Sequence, residues 1–416
     1  MHFFISQAHR LSCVLLLIWL VNVAVLAQSN DWTQFGGPHR DFMLDVKGLA
    51  ATWPEAGPKQ LWKRELGDGY SQIAVESGKL YTMYRKGEQE IVIALDAASG
   101  KTLWEHAYKA VVTDQMTHAI GPRATPLIVG NFLYAVGALG NFHCLDKQTG
   151  KVLWSHDFMA ELKAPLPDEC YGSSPLAYKD TVIVPVGAPG AALVAFNQKD
   201  GSVVWKKQDF VISNSSPILI KVGGQDQLVM LMTENIVGLD PNNGELLWSH
   251  PHKNRTQTNV STPVWGNDNL LFCSSAYDSG GRMLKLTKDG NKTTVEEVWF
   301  QRLLRVHFTN VIRIGDTLYG SSGDFGPAPF TAIDAKTGNL LWRDRGVARA
   351  SFVYADGRFI LMDEDGNLAL ASPTKEGLKI YSKVQLLTNT AWTPPTLAGK
   401  SLYIRDLKTI MALDLK

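Results

Sequence analysis

The sequence predicts an all-β chain folded as a closed, eight-bladed β-propeller of four-stranded antiparallel blades. Three observations predict it. One phrase, an apolar strand, then Asp or Asn, a turn with Gly, and a short strand ending in Trp, recurs along the whole chain. Its copies lie roughly forty to fifty residues apart, the length of a four-stranded blade. The two ends of the chain carry complementary halves of a single copy.

The first element is a leader. His9 and Arg10 precede an apolar run from Leu11 to Ala27, with small residues at Val25 and Ala27 and polar Gln28-Ser29-Asn30 behind it. This is the order of a signal peptide over residues 1–27, with cleavage near Ala27 and a secreted or periplasmic destination. A retained membrane anchor is the alternative, because the run approaches the roughly 20 residues that span a bilayer. Nothing later in the chain is long and apolar enough to span one. Residues 28–52, which contain the words Trp32-Thr-Gln-Phe-Gly-Gly-Pro-His-Arg-Asp41, read as an N-terminal strap across the ring; the propeller occupies 53–416.

Five copies of the phrase are clear: VIALDAASGKTLW ends at Trp104, FHCLDKQTGKVLW at Trp154, LVAFNQKDGSVVW at Trp205, IVGLDPNNGELLW at Trp248 and FTAIDAKTGNLLW at Trp342. Two are worn, LKLTKDGNKTTVEEVW at Trp299 and ALASPTKEGLKIY at Tyr381. The acidic or amide side chain caps its own turn, Gly accepts positive φ, and a second strand follows. The large ring then packs on the neighbouring blade, contributing about 2 to 3 kcal/mol of apolar burial per seam. The final copy, IMALDLK, stops short, and GPKQLW ending at Trp62 supplies its missing strand. Pairing of the N- and C-terminal strands therefore closes the ring and removes exposed sheet edges. Trp62 and Tyr381 complete the eight anchors; seven blades remain if one worn copy is not a blade.

The repeat resembles the tryptophan-docking motif of the PQQ-type (quinoprotein) propellers, over about Trp53 to Lys416. That resemblance implies eight blades and one of two roles. One branch comprises quinone-dependent alcohol and sugar dehydrogenases, which carry an adjacent cysteine pair and calcium ligands at the cofactor. The other includes BamB, the bacterial outer-membrane assembly lipoprotein, and many secreted PQQ-like repeat proteins. This chain has neither Cys-Cys nor C-x-x-C-H, and beyond the leader only Cys144, Cys170 and Cys273. The odd count leaves at least one thiol outside any intrachain disulfide. The expectation is a non-catalytic, monomeric binding module for a protein or peptide partner in the cell envelope, without cofactor. A PQQ- and calcium-dependent dehydrogenase is the alternative.

Charge narrows the partners. Lys plus Arg (41) balance Asp plus Glu (40), so there is no surplus of the kind that neutralises nucleic-acid phosphates. His106, His156 and His250 each follow their blade's Trp by two residues and so fall on different blades, where they cannot converge on a metal. Asp363-Glu364-Asp365-Gly366 and the GAPGAA of 187–192 read as hairpin turns, not as calcium or phosphate loops. No nucleophile and base stand at a spacing that predicts catalysis.

The words before each innermost strand remain: DGYSQI, GPRATP, CYGSSP, SNSSP, TNVSTP, HFTNV, RASFV and AWTPP. In a propeller these loops crowd one mouth of the central channel. They predict a funnel of Tyr70, Arg123, Tyr171, Asn214, Asn259, His307, Arg349 and Trp392. Aromatic faces with two guanidiniums suit a planar acidic ligand or an extended peptide.

Overall fold

The computed structural model describes residues 31–112, 121–290, 292–324, 326 and 328–416, so the leader lies outside the described residues. Eight antiparallel sheets follow one another along the chain, each of four strands, one of them extended by a fifth. Blade 1 spans residues 74–109, blade 2 127–157, blade 3 176–207, blade 4 218–251, blade 5 264–301, blade 6 311–344 and blade 7 350–385. Blade 8 has the sheet order that ring closure requires. Lys59–Glu65 pairs antiparallel with Thr409–Asp414, which continues to Ser401–Arg405 and Thr396–Ala398.

The recurring phrase forms the outer hairpin of each blade. In blade 2, Asp146 Oδ1 accepts the Thr149 backbone N–H at 2.9 Å and its hydroxyl at 2.8 Å, closing the turn. These bonds hold the Asp146 carboxyl below its ordinary range, against a smaller effect of burial. Gly150 then turns left-handed at φ 72°, and the indole of Trp104 from blade 1 lies against it. Here Gly meets two needs at once, because any Cβ would strike Trp104 at 2.4 Å.

Six indoles donate to a backbone carbonyl of the next blade's turn at 2.9–3.2 Å: Trp62 to Ala97, Trp104 to Lys147, Trp154 to Gln198, Trp205 to Pro241, Trp299 to Ala335 and Trp342 to Thr374. Two anchors direct their hydrogen bond elsewhere, although Trp248 is still buried in one cluster with Leu271, Cys273, Leu284 and Leu286 of blade 5. Trp248 donates within its own blade, to Gln227 Oε1 at 2.7 Å, because the long 281–301 hairpin of blade 5 carries its turn away from that seam. The Tyr381 hydroxyl bonds Ser372 of its own blade; the turn it would meet in blade 8 is interrupted where the chain passes through its two ends. Residues 50–57 fill this gap, with Trp53 N–H on Ser382 Oγ at 2.7 Å and Ala50 N–H on Leu415 O at 2.8 Å.

A fully buried arginine locks the last seam. Arg405 of blade 8 reaches into blade 1 and its approach loop, donating to the carbonyls of Ser71, Met83, Gly67 and Gly69 and to the Thr82 hydroxyl at 2.8–3.3 Å. No carboxylate faces it within that set, and burial draws its pKa down to about 10.

The strap crosses the channel. Trp32 exchanges both backbone hydrogen bonds with Val75 of blade 1, and Thr33 O accepts Ile128 N–H of blade 2. Arg40 donates to Pro175 O at the start of blade 3's innermost strand, while Phe42 O takes Tyr354 N–H and Met43–Leu44 runs parallel to Tyr354–Ala355 of blade 7. Blades 3 and 7 face each other across an eight-fold ring, so a few residues bridge its axis. Arg40 and Phe42 take the left-handed backbone conformation to do so.

Among the described residues no helix is long and apolar enough to cross a membrane. Cys144, Cys170 and Cys273 are free, buried thiols. Asp363 caps its hairpin by accepting Asp365 and Asn367 N–H, and residues 187–192 join the middle strands of blade 3, so both segments are turns.

Candidate functional site

The loops before the innermost strands have two jobs, and the sequence shows them as one. Their small polar residues form a girdle linking neighbouring blades. Ser71 Oγ donates to Ala124 O, Ser173 Oγ to Ser215 O, Ser215 Oγ to Ser261 O and Thr396 Oγ1 to Ile73 O, all at 2.7–2.9 Å. Asn310 exchanges two bonds with the Phe352 backbone. The larger residues beside them surround a cavity of about 390 Å³ in the channel, with Phe35 of the strap in its wall.

Of the eight residues expected at the mouth, Tyr70, Arg123, Asn214, His307, Arg349 and Trp392 line this cavity. Tyr171 and Asn259 do not. Tyr171 is buried against Phe158, its hydroxyl donating to Val186 O at 2.9 Å; Asn259 is fully buried, its amide on Met232 O at 2.6 Å. In both cases the neighbour takes the lining place: Gly172 beside Tyr171, and Thr258 and Val260 beside Asn259. The sequence reading missed Tyr277, Phe308, Glu169 and Asp324. Phe308 was legible from its place in HFTNV; the other three sit in connections that carry no copy of the repeat.

Three rings form one wall. Trp392 stacks on Tyr70 at 5.0 Å and 30°, and Phe308 approaches its other neighbour position at 4.5 Å. Arg349 lies 5.2 Å from the Phe308 ring centroid and is held by the Asp324 carbonyl at 2.8 Å and Glu364 at 3.3 Å. Glu364 also accepts the Trp392 indole N–H at 3.4 Å. Opposite charges meet again where Arg123 pairs with Glu169 at 3.6 Å.

His307 is the titratable group of this wall. Its Nε2 meets the Tyr277 hydroxyl at 2.8 Å. Burial, then the Arg349 charge, lower its pKa to about 4, so the ring is neutral at pH 7. Five buried polar atoms on cavity residues have no hydrogen-bond partner among the described residues: Thr125 Oγ1, His307 Nδ1, Thr309 Oγ1, Asp324 Oδ1 and Arg349 Nε.

A calcium ion takes six to eight oxygens. The lining carboxylates, Glu169 and Asp324, pair with Arg123 and with Arg305 at 3.4 Å. No group of three His, Cys, Asp or Glu residues that could hold a metal occurs among the described residues. Trp392 has Tyr70 and Phe308 packed on it, and none of the cysteines lines the cavity. These residues do not fit PQQ with calcium. Elsewhere, His252 Nε2 meets Ser275 Oγ at 2.7 Å, but Arg282 Nε donates to the other ring nitrogen, which keeps the proton on Nε2. Ser275 is therefore an acceptor in a buried network, not an activated nucleophile. His106, His156 and His250 lie apart: His106 against His143, His156 on Glu161, His250 on Glu297.

Comparison with known proteins gives the same two branches as the motif. A family profile described as outer membrane protein assembly factor BamB matches residues 87–344. Outer membrane protein assembly factor BamB of Shewanella oneidensis is 23% identical over 329 residues, covering 74% of this chain and 78% of its own. Quinoprotein alcohol dehydrogenase PedH of Pseudomonas putida is 30% identical over 148 residues, which are 32% of this chain. That match spans only 23% of the dehydrogenase's length. In structure, BamB from Moraxella catarrhalis superposes with a TM-score of 0.60 at 17% identity, covering 86% of this chain and 99% of that one. A quinohemoprotein alcohol dehydrogenase from Comamonas testosteroni reaches 0.67 at 12% identity, covering 93% of this chain and 80% of that one. At such identities the likeness is one of fold.

Proposed function

The chain belongs to the family of outer membrane protein assembly factor BamB, and from that premise we propose that it is a non-catalytic binding module of the cell envelope whose channel mouth holds a segment of a protein partner. One observation carries this reading. A concave cavity in the channel is walled by the Tyr70, Trp392 and Phe308 rings and by the ion-paired Arg123 and Arg349, with the strap's Phe35 beside them. Aromatic faces and guanidiniums gathered in a concavity are the usual anchors of recognition. A peptide offers what such a wall takes: a flat or apolar side chain for the rings and carbonyl or carboxylate oxygens for the guanidiniums. The location outside the cytoplasm, and the absence of a cofactor, are part of the same proposal.

The test is capture from envelope extracts on the immobilised protein, comparing wild type with Trp392→Ala and with an Arg123→Ala/Arg349→Ala variant. The expected result is loss of specific partners from both variants, with melting temperatures showing that both remain folded. An unchanged set of captured proteins on folded variants removes the mouth from the function.

A further inference from the structure

Beside the mouth, across Asp324, lies a second, open pocket of about 320 Å³ between the connection into blade 6 and that blade's outer strand, with Arg302 and Arg343 exposed at its rim. Three guanidiniums line it, Arg302, Arg305 and Arg343, with a single carboxylate, Asp324. The backbone that carries them is stitched in place. Gly323 N–H donates to Arg305 O and Arg305 N–H to Ser322 Oγ, both at 2.9 Å, while Ser322 Oγ donates to Leu303 O at 2.8 Å. Arg343 reaches back to the same Leu303 carbonyl at 3.1 Å, which ties the outer strand to the loop.

The charges do not cancel. Arg305 pairs with Asp324 at 3.4 Å, but Arg343 has no carboxylate partner and Arg302 makes no hydrogen bond or ion pair among the described residues. Cations and anions are balanced along the whole chain, 41 against 40, yet three of one sign and one of the other meet here. Like charges in a concavity repel one another and concentrate counter-ions. Planar guanidinium forks match carboxylate and phosphate oxygens in pairs, a geometry that ordinary solvated lysines do not offer. Ser322 and Gly323 complete a polar floor.

We propose that this pocket is an oxyanion site, taking a ligand group that presents several carboxylate or phosphate oxygens together. Arg302 supplies a free fork, Arg343 the nitrogens that its bond to Leu303 O leaves over, Arg305 is positioned by Asp324, and Asp324 opposes the ligand and limits its affinity. The inference stands apart from the channel reading, since none of the three arginines lines the channel cavity.

The test is calorimetric titration of the purified protein with inorganic phosphate, citrate and an octaglutamate peptide, each against chloride at equal ionic strength. Saturable binding is expected at one site. Arg302→Gln and Arg343→Gln should each weaken it about tenfold, the value of one charge-assisted hydrogen bond, and Asp324→Asn should tighten it. Phosphate and citrate binding more tightly than the peptide identifies a small free anion, and the reverse order identifies an acidic chain; both support the site. Heats no different from chloride for all three probes, equal affinity in the Arg302→Gln/Arg343→Gln double variant, or weaker binding by Asp324→Asn would overturn it.

Discussion

Trp104 of one blade donates its indole N–H to the Lys147 carbonyl of the next at 3.1 Å, and the Gly150 backbone passes directly against the same ring. The seam is therefore built from a donor, an acceptor and an absence of side chain.

Gly150→Ala should be far costlier than Gly290→Ala. Both glycines have positive φ, 72° and 54°, so both substitutions carry the left-handed penalty of about 1–2 kcal/mol. Only at Gly150 does the new Cβ also overlap a ring, adding about 1–3 kcal/mol of overpacking, because Gly290 has open space around it. Urea unfolding of the two variants would measure the gap; equal midpoints would refute the seam argument.

Arg405→Met should cost about 3–5 kcal/mol, since the carbonyls of Gly67, Gly69, Ser71 and Met83 all lose a donor in a buried setting. Arg405→Lys restores the charge without the fork and should recover less than half of that loss. A variant as stable as wild type in urea would show that the last seam holds without this clasp.

Acid should weaken the fold through buried imidazoles. His143 lies against His106 and Tyr108, in the same seam as the Arg85–Glu90 pair, and burial followed by the His106 charge lowers its pKa from 6.5 to about 4. A depressed histidine takes up its proton first in the unfolded chain. Stability is therefore complete above pH 6.5 and falls as pH drops to 4, by about 1.4 kcal/mol per pH unit for one such group. His143→Leu loses no side-chain hydrogen bond seen among the described residues and should flatten that slope by about 1 kcal/mol per unit. Identical slopes from urea titrations at several pH values would rule His143 out.

Adding PQQ and calcium should shift the melting temperature by less than about 1 °C, with no dye-linked alcohol oxidation. The donor set around Glu169 and Asp324 is committed to Arg123 and Arg305. A rise of several degrees accompanied by turnover would place the protein with the dehydrogenases.

The ring was legible in the sequence because each blade repeats its hairpin, and a period survives even where Trp299 and Tyr381 end worn copies. Trp248 and Tyr381 send their hydrogen bonds into their own blades for reasons the repeat does not contain: a hairpin that runs too long, and an outer hairpin split between residues 59–65 and 409–414. The mouth was half legible. Position in the loop brought Tyr70, Arg123 and Trp392 to the cavity, but side-chain direction sent Tyr171 and Asn259 into the protein. Arg405 and the Arg302, Arg305 and Arg343 pocket left no periodic signal, because each joins residues distant in the chain or unique to one blade.

Strand 59–65 finds its partner only at 409–414. A nascent chain thus carries an unmatched edge for about 350 residues of synthesis, and shutting a loop of that size costs about 5 kcal/mol of entropy. The bridge from blade 3 to blade 7 waits as well, since Tyr354 emerges long after Phe42. Blades can therefore assemble in order, but the circle shuts last, and until strand 409–414 arrives the 59–65 segment is a hydrogen-bonding rim open to other chains.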